Sequence, residues 1–484
     1  MNTSLRFACA LVALVACASA GAVSLSRTGI GQALVYPFYT ADNSQDTLLS
    51  VVNASGTGKA VQVSFLEGYS GRHVQDLVVF LKAHDVWTAS VSADAASGGA
   101  VLRTSDTSCT LPAVPASGLA FSSASYDGSL GYPNDGGPYD ISRLREGMFD
   151  MVVGGDIVAG SPTDLATQHP DDNFPEPPVP PVPRAAPSCE SLDAANYFDD
   201  LVAPAGGIYG SGAIVNVGIG TYFAYNADAL ADFTRTVLLT SHLASPPGLK
   251  DVNNGNGNAD VDSDVFDDDG HPIRLRHNYG EDAVTSVFMT DAIYNDYIVD
   301  PGLGAATDWV ITFPAATVYS DPRSFPNVYS AQPEIRDREE GIVTPPCNFC
   351  TFPTQLTHVV NVIAVTYDAT YTPGTPTGVL GSPLNNVEWE PFGNAGSLRL
   401  SFDFEIVELD LPPRDANGGL LMLDENQNSV RLLGAPAAGF MVYNIINAQA
   451  QPGRLANYGG AFAHHATFKC QGPASECSDP IPTQ

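Results

Sequence analysis

The residues most able to do chemistry lie in one acidic run. Residues 251–270, DVNNGNGNADVDSDVFDDDG, hold seven aspartates and neither lysine nor arginine. Calcium takes about six to eight hard oxygens, and aspartates at alternate positions of a turning loop can aim several carboxylates at one ion. The candidate ligands are therefore Asp251, Asn253, Asp260, Asp262, Asp264, Asp267 and Asp269, and calcium is the candidate cofactor. The match to an EF-hand is incomplete. Counted from Asp260, the sixth position is Val265 where glycine is needed, and the twelfth is His271 where glutamate is needed. A solvated acidic loop is the competing reading, as for most charge runs.

Other constellations carry less. Cys347-Asn348-Phe349-Cys350 has the spacing of a redox motif or half a zinc site. Prolines on both sides oppose the helix that a thioredoxin-like motif opens, and no second CxxC completes a zinc tetrad, so a tight disulfide is expected. Glu388-Trp389-Glu390 would place two carboxylates on one face of a strand, an arrangement open to glycoside hydrolysis. His464-His465, as strand neighbours, would point to opposite faces and could not chelate together. Trp87, Trp309 and Trp389 are expected in cores, although each could stack on a sugar. Gly210, Gly212, Gly218 and Gly220 sit inside apolar strands, which suits close packing better than phosphate binding. No GxSxG, HExxH or phosphate-binding glycine loop is present.

The ends and totals set the compartment. Met1 to Arg6 carries one positive charge, residues 7–16 are apolar, and Ala18-Ser19-Ala20 suits signal peptidase before Gly21. Leu14-Val15-Ala16-Cys17 also has the form of a lipobox, so a lipoprotein held through Cys17 is the alternative. Export would make the protein secreted, periplasmic or surface-exposed, and no later segment is apolar enough to span a bilayer as a helix. The six remaining cysteines then form disulfides, most simply Cys109 with Cys189, Cys347 with Cys350 and Cys470 with Cys477. With 21 basic and 53 acidic residues the net charge is −32, which argues against nucleic acid as a partner.

These residues must be positioned by strands. The 45 glycines and 37 prolines, with only 15% charged residues, describe short strands joined by turns. Strands are expected at 33–40, 47–53, 60–66, 73–81, 85–91 and 149–157, a strand pair over 210–225, and further strands at 307–313, 358–367, 397–409 and 439–447. A helix is expected over 281–299 from apolar residues at three- and four-residue steps. The expected fold is mainly β, as two or three β-sandwich (immunoglobulin-like) domains with that minor helical segment. The divisions fall at a 1–20 signal peptide, a 21–170 amino-terminal sandwich, a 171–187 proline-rich linker, a 188–330 middle domain bearing the acidic insertion, and a 331–484 carboxy-terminal region.

GQALVYPFYT (31–40), DTLLSVVN (46–53), VSFLEG (63–68), DVWTA (85–89), GSGAIVNVG (210–218), TDWVITFP (307–314), GFMVYNIIN (439–447) and NYGGAFAHH (457–465) together resemble a family of uncharacterised secreted proteobacterial β-rich proteins. The resemblance covers nearly the whole chain after residue 20. It implies no activity and transfers no catalytic residue, and the acidic insertion is foreign to its pattern. The expected function is that of a non-enzymatic structural or binding protein of the envelope, stabilised by calcium, with other envelope proteins or polysaccharide as partners. The alternative is a secreted polysaccharide hydrolase using Glu388 and Glu390.

Overall fold

Val61, Val63 and Phe65 turn to one side of the Gly58–Glu67 strand and are fully buried, as their period-two spacing requires. Gln62 and Ser64, on the opposite side, are covered as well. Both faces of this strand are therefore inside the molecule. The same holds for its neighbour Glu146–Ile157, whose twelve residues are all buried. Phe149 of that strand stacks on Tyr36 at 4.1 Å and on Phe65 at 4.9 Å. Burying rings of this size stabilises the fold by roughly 1.5–3 kcal/mol each.

The computed structural model describes residues 21–131, 135–169, 186–241, 246–254, 261–317, 329–339, 341, 354–366, 374–384, 388–391, 393–403, 420–424, 429–451, 454–472 and 477. The leader with Cys17, Asp260, Cys347, Cys350 and most of the proline-rich stretch lie outside these residues. The chain is mainly β. Its sheets are antiparallel except where Glu388–Trp389 runs parallel to Val360–Val365.

Two large sheets use the strands between Ser24 and Ala231. One runs in the order Ser24–Leu25, Asp228–Ala231, Ala33–Thr40, Glu146–Ile157, Gly58–Glu67, His73–Leu81, Thr110–Leu111, with Leu201–Val202 paired to Glu146–Ile157. The other runs Thr221–Asn226, Ile208–Asn216, Asp46–Asn53, Val86–Ala93, Ala100–Arg103, Leu119–Ala120. The Tyr36 hydroxyl of the first sheet donates to the Ser50 carbonyl of the second at 2.7 Å. A Cβ at Gly210 would lie 1.8 Å from that hydroxyl, which is why glycine stands there.

The proline-rich stretch does not divide these sheets. Ile208–Asn216 and Thr221–Asn226 extend the sheet of Asp46–Asn53, and Asp228–Ala231 joins that of Ala33–Thr40. Strands expected in a middle domain thus complete the sheets of the amino-terminal one, and the Cys109–Cys189 disulfide joins the two sides of the stretch. Cys470 is bonded to Cys477.

From Val261 onward the strands form separate sheets. One is ordered Thr354–Leu356, Tyr329–Asp337, Ala395–Asp403, Ala292–Ile298, His465–Thr467, and another Glu388–Trp389, Val360–Val365, Ala305–Thr312, Ala438–Gln451, Arg454–Ala463. A third contains Val261–Phe266 and Pro272–His277. The helix expected over 281–299 is shorter: it spans Gly280–Phe288, and Ala292–Ile298 is a strand. Its tyrosines and isoleucines suit a pleated surface, and it finds ladder partners on both sides, which outweighs the helical spacing.

The two groups of sheets share an apolar core and are stitched by hydrogen bonds. Thr312 Oγ1 donates to the Pro37 carbonyl at 2.6 Å, Val360 N to the Gly68 carbonyl at 2.9 Å, and Gln45 Nε2 to the Leu380 carbonyl at 2.9 Å.

Candidate binding groove

The described residues of the acidic run do not close around one point. Asp262 and Asp264 lie on Val261–Phe266, opposite Arg276 and Arg274 of Pro272–His277. Asp264 accepts two hydrogen bonds from Arg274, both at 2.8 Å, and Asp262 lies 3.3 Å from Arg276. Their alternation is thus that of a half-buried strand bearing cross-strand ion pairs. Asp251 accepts from the Gly248 amide, and Asn253 donates to Thr236. Among the described acids of the run only Asp267 and Asp269 converge, with His271, at the hairpin turn. These two carboxylates and one imidazole, with Asp269 and His271 exposed, supply by themselves fewer oxygens than the roughly six to eight that calcium takes.

A different set of side chains does converge. In the sheet containing Ala292–Ile298, Glu334 stands opposite Arg399, Arg399 opposite Tyr294, and Tyr294 opposite His465. One row of side chains thus crosses four strands on one face. The next row on the same face is Arg336, Ser397 and Asp296. Arg399 Nε donates to the Tyr294 hydroxyl at 2.8 Å, while its Nη1 stays 3.9 Å from Glu334. Glu334 instead accepts from Arg336 Nε at 2.6 Å. A cavity of about 260 Å³ opens over this row.

It shares Asn295, Asp296, Ser397 and His465 with a larger groove of about 720 Å³. The far wall of that groove is aromatic. Tyr443 and Phe462 come from the paired strands Ala438–Gln451 and Arg454–Ala463, and their rings are parallel within 3° at 5.8 Å. Gly460 lies opposite Tyr443, and a Cβ there would approach the Phe462 ring to 2.8 Å. The glycine clears the space the rings occupy. Phe462 is 49% exposed and Tyr458, on the same face, 55%.

The chain itself joins the two walls. Residues up to Ala463 belong to the aromatic sheet, and His465–Thr467 belong to the polar one. His464, at the crossing, is half-buried against Trp309 with ring centroids 4.5 Å apart, and desolvation pushes its imidazole down to about 4. Asn295 Nδ2 donates to the carbonyls of Phe462 and Ala463 at 3.1 and 3.2 Å, fastening the walls together. His464 lies between the two strands and packs on Trp309, while His465 lines the groove.

No family model, curated protein or solved structure matches the chain. The case for a site rests on this geometry.

The other candidate residues are mostly enclosed where they are described. Ser263 Oγ lies 2.8 Å from His277 Nε2 and 2.6 Å from Ser286 Oγ, but Ser263 and His277 are buried beyond the reach of a substrate, and burial pushes the imidazole down to about 3. Trp87, Trp309 and Trp389 are all buried, and Trp309 meets Trp389 edge-on at 5.7 Å. Glu390 is exposed beside buried Trp389.

Charge is also stored at the seam between the sheet groups. Arg143 donates to Glu67 at 2.6 Å, to Asp135 at 3.1 Å and to Ser70 at 2.7 Å, and lies over the Tyr126 ring at 4.4 Å. Burial pushes the Glu67 carboxyl up, but hydrogen bonds and charge from Arg143, with the amides of Arg72 and Tyr69, outweigh it and hold it below its ordinary value. Glu146 forms no ion pair among the described residues and accepts from Thr40 and Ser382, so burial pushes it up to about 8.

Tyr294, Asp296, Glu334, Arg399, Tyr443 and Phe462 were not candidates on sequence grounds. The available signal was alternation: Tyr294-Asn295-Asp296-Tyr297 read as a strand places Tyr294 and Asp296 on one face.

Proposed function

We propose that this chain is an exported, non-enzymatic binding protein of the bacterial envelope that holds its ligand in the groove between the Tyr294–Arg399 face and the Tyr443–Phe462 face. The observation that carries this reading is the groove itself, an open trough with planar polar side chains on one wall and two parallel rings on the other. Ligand sites combine apolar walls with a few placed polar groups in this way. Two disulfides and a leader-like amino terminus support a location outside the cytoplasm. The two packed sheets of residues 24–231 support a sandwich architecture for that part of the chain.

The test is co-sedimentation of the purified protein with cell-envelope fragments of the producing bacterium. The wild type pellets with the fragments, and a protein carrying both Phe462→Ala and Arg399→Met stays in solution with unchanged circular dichroism. Equal pelleting of the two proteins overturns the reading.

A further inference from the structure

We infer that the groove takes a neutral polysaccharide chain, with sugar rings lying on Tyr443 and Phe462 and their hydroxyls bonded to Asp296, Ser397 and Arg399. This inference rests on the binding role proposed above and names its ligand class. Three observations lead to it.

The first is the contrast between the walls. A pyranose ring presents C–H bonds on its faces and hydroxyls around its rim. The faces suit an aromatic shelf, and the rim suits planar donors and acceptors. Tyr443 and Phe462 supply the shelf, while Asp296 and Arg399 supply an acceptor and a donor on the facing sheet.

The second is the state of Arg399. Its Nε is held by Tyr294, which fixes the plane of the guanidinium, and no hydrogen bond from its terminal nitrogens is formed with the described residues. Glu334, the nearest acid, is engaged by Arg336. A guanidinium oriented by one bond and open at its fork can donate to two adjacent hydroxyls.

The third is charge. Arg336, Arg338 and Arg399 face Asp296, Glu334 and Asp337 around the two cavities, so the site balances within a chain of net charge −32. The field of such a chain disfavours polyanions, which excludes uronate-rich and sulfated glycans. The open trough, with Phe462 and Tyr458 reaching solvent, suits a chain that continues past the site at both ends.

The experiment is affinity electrophoresis of the full secreted protein in gels containing mixed-linkage β-glucan, dextran, galactomannan or polygalacturonate. At least one neutral glycan retards the wild type, and polygalacturonate does not. Phe462→Ala and Arg399→Met each weaken that retardation by about tenfold, whereas Tyr139→Ala, an exposed tyrosine outside both cavities, leaves it unchanged. The inference is overturned if no neutral glycan retards the wild type, if polygalacturonate does, or if the groove variants migrate as the wild type. If envelope co-sedimentation stays groove-dependent while every glycan fails, the ligand class falls and the binding role stands. If co-sedimentation ignores the groove as well, both fall.

Discussion

Arg143 and Arg399 each stand among a glutamate, a tyrosine and a histidine, but only one of them has its hydrogen-bonding capacity used up. Arg143 lies at the seam, 3% exposed, with donors committed to Glu67, Asp135 and Ser70, and with Tyr69 against His358 beside it. Arg399 lies on an open sheet face and, among the described residues, makes one hydrogen bond, to Tyr294. The contrast comes from backbone placement. A short 3₁₀ turn, Ile141–Arg145, drives Arg143 into a pocket of acceptors, whereas strand register hands Arg399 a single tyrosine and an acid already taken. The same chemistry holds the fold in one place and is offered outward in the other.

Removing the buried guanidinium should have the largest effect. Arg143→Met leaves Glu67 buried without its cation and is expected to cost about 3–5 kcal/mol, read as a lower urea midpoint. If Arg399→Met costs as much, the distinction between the two arginines is lost. The pH profile sharpens the buried side next. Glu146 is raised from 4.5 to about 8, so the folded state binds its proton more tightly than the unfolded chain does. Stability is then present below pH 4.5 and falls as pH rises toward 8, by at most about 1.4 kcal/mol per unit. Glu67 is lowered, so its contribution is present above the unfolded value and lost as pH falls. Melting temperatures from pH 4 to pH 9 should show Glu146→Gln flattening the alkaline decline and leaving the acid one. A third, smaller effect is the stability change of Arg399→Met, expected below about 1 kcal/mol, with loss of envelope binding. Smallest is the hairpin. Asp264→Asn should cost a few tenths of a kcal/mol, and millimolar calcium should leave the melting temperature where it was.

Much of the strand framework was legible because it is written in period-two alternation and turn residues. Ala33–Thr40 and His73–Leu81 lie where that pattern places them, and most of the other expected strands differ at their ends by one to three residues. The disulfides Cys109–Cys189 and Cys470–Cys477 follow from joining neighbours. Ala292–Ile298 was misread because Val284, Val287 and Phe288 set a helical rhythm that Ala292 and Tyr294 happen to continue. That single misreading concealed the site, since Tyr294 and Asp296 share a face only on a strand. The surroundings of the acidic run were illegible for the opposite reason. Its aspartates are conspicuous in the sequence, but Arg274 and Arg276, which neutralise two of them, become neighbours only through the hairpin register. The aromatic shelf depends on pairing between Ala438–Gln451 and Arg454–Ala463, and a linear reading carries no register.

The crossing at His464 bears on the speed of binding. With the backbone running from one wall into the other, and Asn295 holding the edge, the width of the trough is set before anything enters it. Little ordering entropy remains to oppose association. Stopped-flow tyrosine fluorescence should therefore give an observed rate that climbs linearly with ligand concentration, without the plateau that a slow opening step imposes.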